Sequence, residues 1–124
     1  MTRATNIQPS DFGLPQATRD KLRGVFSLHP DIHTVLVYGS RAKDNYRPGS
    51  DVDLSLQCES LEGSLPFAEF LQIQDEIDDL MLPYTVDLSQ YGQLINPDLL
   101  DHINRVGQPL YVRLTTNQYR LTKT

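Results

Sequence analysis

At 124 residues and 39% hydrophobic content the chain has material for one modest core and leaves little room for a second domain. Eleven Lys and Arg against sixteen Asp and Glu give a net charge of -5 and a pI near 5.0, which argues against broad nucleic-acid binding but not against a nucleoside triphosphate held with cations in a local pocket. No apolar run approaches the length that crosses a bilayer, Met1–Ser10 is polar, and the single Cys58 excludes an internal disulfide, so a soluble, cytoplasmic protein without membrane contact is expected.

After the polar arm, Leu14, Ala17, Leu22, Val25 and Phe26 recur at helical spacing, with Pro15 suited to a first turn and His29-Pro30 to an end. The stretch Asp31 to Tyr38 contains the apolar run Val35 to Tyr38, which predicts a strand buried on both faces and stopping at Gly39. Ser40 to Asn45 reads as a brief helix, and Arg47-Pro48-Gly49-Ser50 as a Pro-Gly turn. From Asp51 to Gln57 the pattern alternates: Val52, Leu54 and Leu56 face one way, Asp51, Asp53 and Ser55 the other. Cys58 fits a half-buried strand position, since no neighbouring His is available to activate it.

A loop over Ser60–Leu65 precedes a second helical pattern, through Phe67, Phe70, Leu71, Ile77, Leu80 and Met81, that Pro83 ends. Its Asp75, Glu76, Asp78 and Asp79 are expected to form a solvated face. Tyr84 to Ser89 is a third strand with Asp87 between Val86 and Leu88. Asn96 then caps a helix with Pro97 at its first position, Leu99, Leu100, Ile103 and Val106 on one face and Gly107 at its end; Leu110–Val112 adds a short strand. We expect an α+β domain over residues 1–112, a small mixed or antiparallel sheet covered by helices, followed by a polar tail over 113–124.

Asp51 and Asp53 project from one strand face roughly 7 Å apart. Two carboxylates so close repel unless a cation lies between them, and a hard ion such as Mg²⁺ prefers carboxylate oxygens, waters and substrate phosphates. Alone, an Asp-x-Asp on a strand is more often an ordinary solvent-facing pair. Gly39-Ser40 changes that reading: at the end of a buried strand, free backbone N–H groups and a hydroxyl can accept an anion. Ten residues separate Ser40 from Asp51, so antiparallel pairing would bring phosphate turn and carboxylates together. Arg41, Lys43 and Arg47 can neutralise phosphate charge. Asp87, unfavourable to bury alone, would face Asp51 and Asp53 if its strand pairs with theirs. Three carboxylates can hold two metal ions roughly 4 Å apart, and Asp87 can also serve as general base. The histidines His29, His33 and His102 are scattered and suggest no site. The tyrosines read mainly as packing residues, with Tyr46 near enough to the loop to stack on a base.

These residues resemble the minimal nucleotidyltransferases of the DNA polymerase β superfamily. Gly39-Ser40, ten residues, Asp51-Val52-Asp53 and the later Asp87 match that motif throughout. Val37-Tyr38-Gly39-Ser40-Arg41-Ala42-Lys43, Arg47-Pro48-Gly49-Ser50-Asp51-Val52-Asp53-Leu54 and the ending His102 to Gly107 with Leu110-Tyr111 look closest to the MNT antitoxins encoded beside HEPN-domain ribonuclease toxins, over roughly Asp31 to Val112. The resemblance implies a polymerase β-like fold, Gly39 and Ser40 on the triphosphate of ATP, and Asp51, Asp53 and Asp87 on Mg²⁺. Beside these carried-over residues, Arg41, Lys43, Arg47 and Ser50 are expected at the nucleotide site from their place in the connecting loop. It further implies transfer of AMP to a tyrosine of a HEPN toxin partner. The alternatives are a small-molecule acceptor such as an aminoglycoside, for which the chain lacks a second helical domain, and a non-catalytic antitoxin that neutralises its toxin by binding.

Overall fold

In the computed structural model, which describes residues 11–59 and 63–114, the elements run α1 (Gln16–Ser27), β1 (Ile32–Tyr38), β2 (Val52–Cys58), α2 (Phe67–Asp78), β3 (Val86–Gln90), a 3-10 turn at Tyr91–Gln93, α3 (Pro97–Val106) and β4 (Gln108–Val112). The arm Met1–Ser10, part of the loop expected over Ser60–Leu65, and most of the tail lie outside the described residues.

The strands form one mixed sheet in the order β3-β2-β1-β4, with β1 antiparallel to β2 and β4, and β2 parallel to β3. A parallel pair cannot be joined by a tight turn, and α2 supplies the crossover from β2 to β3. Strand alternation then divides the sheet into two faces. Val35 and Val37 pair with Leu56 and Leu54, and with Val52 and Leu88 they pack in the main core against Leu22, Val25 and Phe26 of α1 and Ile73 and Ile77 of α2. On the opposite face α3 lies against β1: Ile103 is buried apart from that core, and Gly107 closes on Leu36. The double-sided burial expected of β1 is therefore uneven, complete for Val35 and Val37 and partial for Leu36.

Local chemistry explains most element ends. Asn96 accepts hydrogen bonds from the N–H groups of Asp98 (2.8 Å) and Leu99 (3.1 Å), satisfying donors that the first turn of α3 leaves unpaired. Pro48-Gly49 forms a tight turn closed by Ser50 N–H to Arg47 O, with Gly49 at φ 83° as a type II turn requires. Two helices differ from the pattern expected of them. In α1 the buried positions are Thr18, Leu22, Val25 and Phe26; Ala17 is exposed, and the helix ends at Ser27 rather than at His29-Pro30. In α2 the inward stripe is Phe70, Ile73 and Ile77, continued by Leu80 beyond its end, while Phe67 and Leu71, and Met81 after the helix, are exposed. The helix stops at Asp78, and the left-handed backbone of Met81 lies beyond its end, before Pro83.

The acidic face of α2 is not wholly solvated. Buried His29 sits between Glu69 (Nδ1, 2.9 Å) and Glu76 (Nε2, 2.7 Å), tying the end of α1 to α2. Arg113, expected in the tail, donates to the backbone carbonyls of Ile32, Phe26, Ser27 and His29 and so fastens the end of β4 to the α1–β1 junction. Among the described residues no helix is long and apolar enough to cross a membrane.

Candidate active site

β1 ends where Gly39 turns the chain at φ 75°, a conformation that costs an L side chain energy. Close approach reinforces the requirement: a Cβ on Gly39 would collide with the Asp53 carboxylate. After Gly39 the chain makes turns rather than the brief helix expected over Ser40–Asn45. Lys43 N–H reaches Gly39 O, but Asn45 N–H reaches back to Ser40 O and Asp44 adopts φ 63°, so helical bonding does not propagate. Among the described residues the Ser40 and Arg41 amides have no hydrogen-bond partner, which leaves two adjacent donors at the strand end.

The sheet register assembles the carboxylates. Tyr38 pairs with Asp53 across β1 and β2, and Asp53 pairs with Asp87 across β2 and β3, so all three project from the face opposite the main core. Asp51 lies just before β2, near enough for its charge to act on Asp53. Neighbouring strands lie roughly 4.8 Å apart, close enough for Asp53 and Asp87 to share a cation. Asp51 and Asp87 are exposed and Asp53 is half-buried. The burial expected to make Asp87 costly is thus absent: β3 is an edge strand, and its polar face is open.

Burial raises the Asp53 carboxyl above its ordinary value of 3.8, and the charges of Asp87 and Asp51 raise it further against an opposing contribution from His102. Tyr38 stands in the same field. Burial pushes its phenol above 10.0, a hydrogen bond with Ser89 pulls it down, and Asp53 and Asp87 push it up again. Ser55, one step inward on this face, is fully buried, and its hydroxyl has no partner among the described residues.

A hard cation suits this arrangement. The donors are carboxylate oxygens, their mutual repulsion is what a cation relieves, and the missing Cβ of Gly39 lets the Gly39–Ser40 turn abut Asp53. Among the described residues no three His, Cys, Asp or Glu side chains converge as a complete metal-binding group. Phosphate oxygens and waters would therefore complete the coordination, as Mg²⁺ sites on nucleotides usually require.

The basic residues separate into two groups. Lys43 and Arg47 are exposed beside the turn. Arg41, expected on the nucleotide, is instead buried: it donates to Phe12 O (2.8 Å) and twice to Ser50 O (3.2 and 2.9 Å), and its guanidinium lies 5.0 Å from the ring centres of both Tyr46 and Tyr84. It braces the loop from beneath, because a guanidinium removed from water needs this many acceptors and aromatic faces. Tyr46 is engaged in the same packing, with Arg41 over its ring and Gly13 against its edge, and is half-buried. The Ser50 hydroxyl accepts from Arg47 N–H (2.8 Å), closing the Pro-Gly turn.

One residue at the site was not expected there from the sequence. His102 of α3 accepts a hydrogen bond from Gly39 N–H at its Nε2 (3.2 Å) and sets its ring edge-on to Tyr38, with centroids 6.2 Å apart at 80°. Sixty-three positions separate it from Gly39, and a lone His on a helix has no spacing signature. Cys58 is half-buried as expected, its thiol pushed up to about 11 by burial and by the charges of Asp31 and Glu69, and so inert. The grooves beside β3 are lined by Ile77, Asp78, Tyr84 and Val86 on the helix-covered side, across the sheet from the carboxylates.

Solved structures share this fold at low identity. One is a toxin-antitoxin structure with AMP-PNP, at TM-score 0.61 and 15% identity over 83% of this chain and 78% of that one. Another is a tri-AMPylated Shewanella oneidensis HEPN toxin in complex with MNT antitoxin, at TM-score 0.56 and 17% identity over 86% and 77%. A Sulfolobus solfataricus protein described as a nucleotidyltransferase gives TM-score 0.52 and 18% identity over 79% of each chain. No curated protein is similar enough to match. Residues 20–115 match the family described as "Polymerase beta, Nucleotidyltransferase", and with most of its length inside that match the chain belongs to the polymerase β nucleotidyltransferase family.

Proposed function

We propose that this chain transfers AMP from ATP to a tyrosine of a HEPN toxin and thereby acts as its antitoxin. The observation that carries the reading is the in-register placement of Asp53 and Asp87 on one sheet face, with Asp51 upstream and the Gly39–Ser40 turn against Asp53. The likeness to structures whose descriptions include AMP-PNP, and an AMPylated HEPN toxin with an MNT antitoxin, supports the choice of nucleotide and acceptor.

In this reading the Ser40 amide and hydroxyl receive the triphosphate, with Lys43 and Arg47 balancing its charge from the exposed side of the loop. The tyrosine hydroxyl attacks the α-phosphorus in line; an oxygen–phosphorus bond forms as the bond to pyrophosphate breaks. The tyrosine proton passes to a carboxylate, a role we assign to exposed Asp87. Mg²⁺, held by Asp51, Asp53 and Asp87, would neutralise the phosphates and acidify the attacking hydroxyl. The remaining work is positioning and electrostatics.

The test is incubation of the chain with α-labelled ATP, Mg²⁺ and the co-encoded HEPN protein, beside Asp51→Ala and Asp53→Ala. Label on a partner tyrosine with the wild type, and none with either variant, is the expected result. Tight association without label would overturn transfer in favour of neutralisation by binding.

A further inference from the structure

The turn that would receive phosphate is held from above by a helix that contributes no carboxylate. Gly39 N–H, the first donor of the turn, is satisfied by His102 Nε2 at 3.2 Å. Nε2 is the acceptor in this bond, so the imidazole sets the direction of the Gly39 N–H. Its ring edge on Tyr38 fixes the preceding residue as well. Two residues further along α3, Asn104 Oδ1 accepts from the hydroxyl of Tyr91, in the 3-10 turn that directly follows β3 (2.8 Å). One helix therefore bridges the end of the strand that leads into Gly39 and the end of the strand that carries Asp87.

Three constraints converge on Gly39: its positive φ, the Asp53 carboxylate where a Cβ would lie, and the His102 bond. The first two follow from what Gly39 lacks. The third is an attraction that holds the peptide plane entering Gly39, as the Lys43 N–H bond to Gly39 O holds the plane leaving it. Releasing the entering plane frees φ of Gly39, and a change in that φ would redirect the leaving plane and with it the Ser40 amide, which has no partner among the described residues. Resting on the nucleotidyltransferase reading above, we propose that His102 is a positioning residue for the triphosphate: by anchoring Gly39 N–H it keeps the Ser40 amide and hydroxyl aimed at the phosphates.

The experiment compares wild type, His102→Leu, His102→Gln and Asn104→Ala for affinity towards a non-hydrolysable ATP analogue with Mg²⁺, exchange of the Gly39 amide proton by NMR, and Tm. Glutamine keeps an acceptor oxygen that can reach Gly39, and leucine does not. His102→Asn, polar but too short to reach, stands in for the leucine variant if that fails to fold. His102→Leu is expected to weaken analogue binding about tenfold and to speed Gly39 exchange by a similar factor, the size of one lost oriented hydrogen bond, while His102→Gln stays within about twofold of wild type. Asn104→Ala is expected to lower Tm but leave affinity within about twofold, which separates positioning from general loosening of α3. Unchanged affinity in His102→Leu, no rescue by glutamine, or equal weakening in Asn104→Ala overturns the assignment of His102 alone. A wild-type chain that binds no nucleotide overturns the nucleotidyltransferase reading, and this inference with it.

Discussion

On one face of the sheet, Val35, Val37, Val52, Leu54 and Leu56 are buried against α1 and α2; on the other, Tyr38, Asp53, Asp87 and Ser89 share a polar surface that α3 covers only in part. The same strands build both, since successive side chains point to opposite faces. The difference teaches where the molecule spends its stability. The helix-covered face is apolar and closed, and gains free energy from every methyl group removed from water. The carboxylate face opposes itself: Asp53 is partly desolvated beside Asp87 and Asp51, and its raised pKa records that conflict. A site that binds a cation tolerates such a conflict because the ion relieves it.

The comparison breaks most sharply at Asp53. Asn in its place keeps the shape and removes the charge, so the proposed AMP transfer is expected to fall by more than the roughly 10–100-fold seen when groups one step removed from a metal are lost. Tm of the metal-free protein at pH 7 should rise by about 2 °C, since the ionised carboxylate is less favourable in the folded chain than in the unfolded one. Transfer assays and thermal melts without divalent ions check both signs. An Asp53→Asn protein that is inactive and also less stable would contradict the conflict described here.

Leu54, one residue further on and fully buried on the other face, should behave in the opposite manner. Leu54→Ala is expected to cost about 2–5 kcal/mol, measured by denaturant unfolding. Below the variant's own midpoint, transfer per folded molecule should stay within about threefold of wild type, because the register that pairs Asp53 with Asp87 is carried by the backbone. Loss of activity in the folded variant would show that the two faces are coupled.

The smallest effect belongs to His29. Burial lowers the basicity of its imidazole, but hydrogen bonds to Glu76 and Glu69 outweigh this and raise its pKa above 6.5. Glu76 is lowered below 4.5, chiefly by its hydrogen bond to His29. The stabilisation is therefore complete between about pH 4.5 and 6.5, is lost on the alkaline side as pH rises through the raised histidine pKa, and is lost on the acid side as pH falls through the depressed Glu76 pKa. Melts across pH should show the difference between wild type and His29→Gln peaking in that window, at about 3 °C, and shrinking on both sides. A difference that does not vary with pH would mean that His29 acts by packing alone.

Much of this two-faced design is legible in the order of the residues. The alternation in Asp51–Gln57 separates the core face from the carboxylate face, Asn96-Pro97 and Gly107 bound α3, and Gly39-Ser40 with Asp51 and Asp53 mark the candidate site. Each of these signals is local: a period, a cap, or a conformation that only glycine adopts easily. Expectation and fold part where a local signal is ambiguous. Phe67, Leu71 and Met81 have the composition of a buried face, yet α2 turns Phe70, Ile73 and Ile77 inward, because the sheet decides which stripe of a broadly apolar helix is covered. Arg41 has the composition of a phosphate ligand and is buried under its own loop.

By itself the sequence determined which residues share a strand face, where the chain must turn at Gly39, and which residue types could meet a nucleotide and a cation. Only the tertiary structure decided that Asp87 pairs with Asp53 rather than with another row, that Arg41 braces the loop, that His29 joins Glu69 and Glu76, and that His102 holds Gly39. The physical reason is the same throughout. Periodicity reports the direction of a side chain relative to its own backbone, whereas pairing register and contacts between distant segments depend on how separate elements meet when the two faces of the sheet are covered.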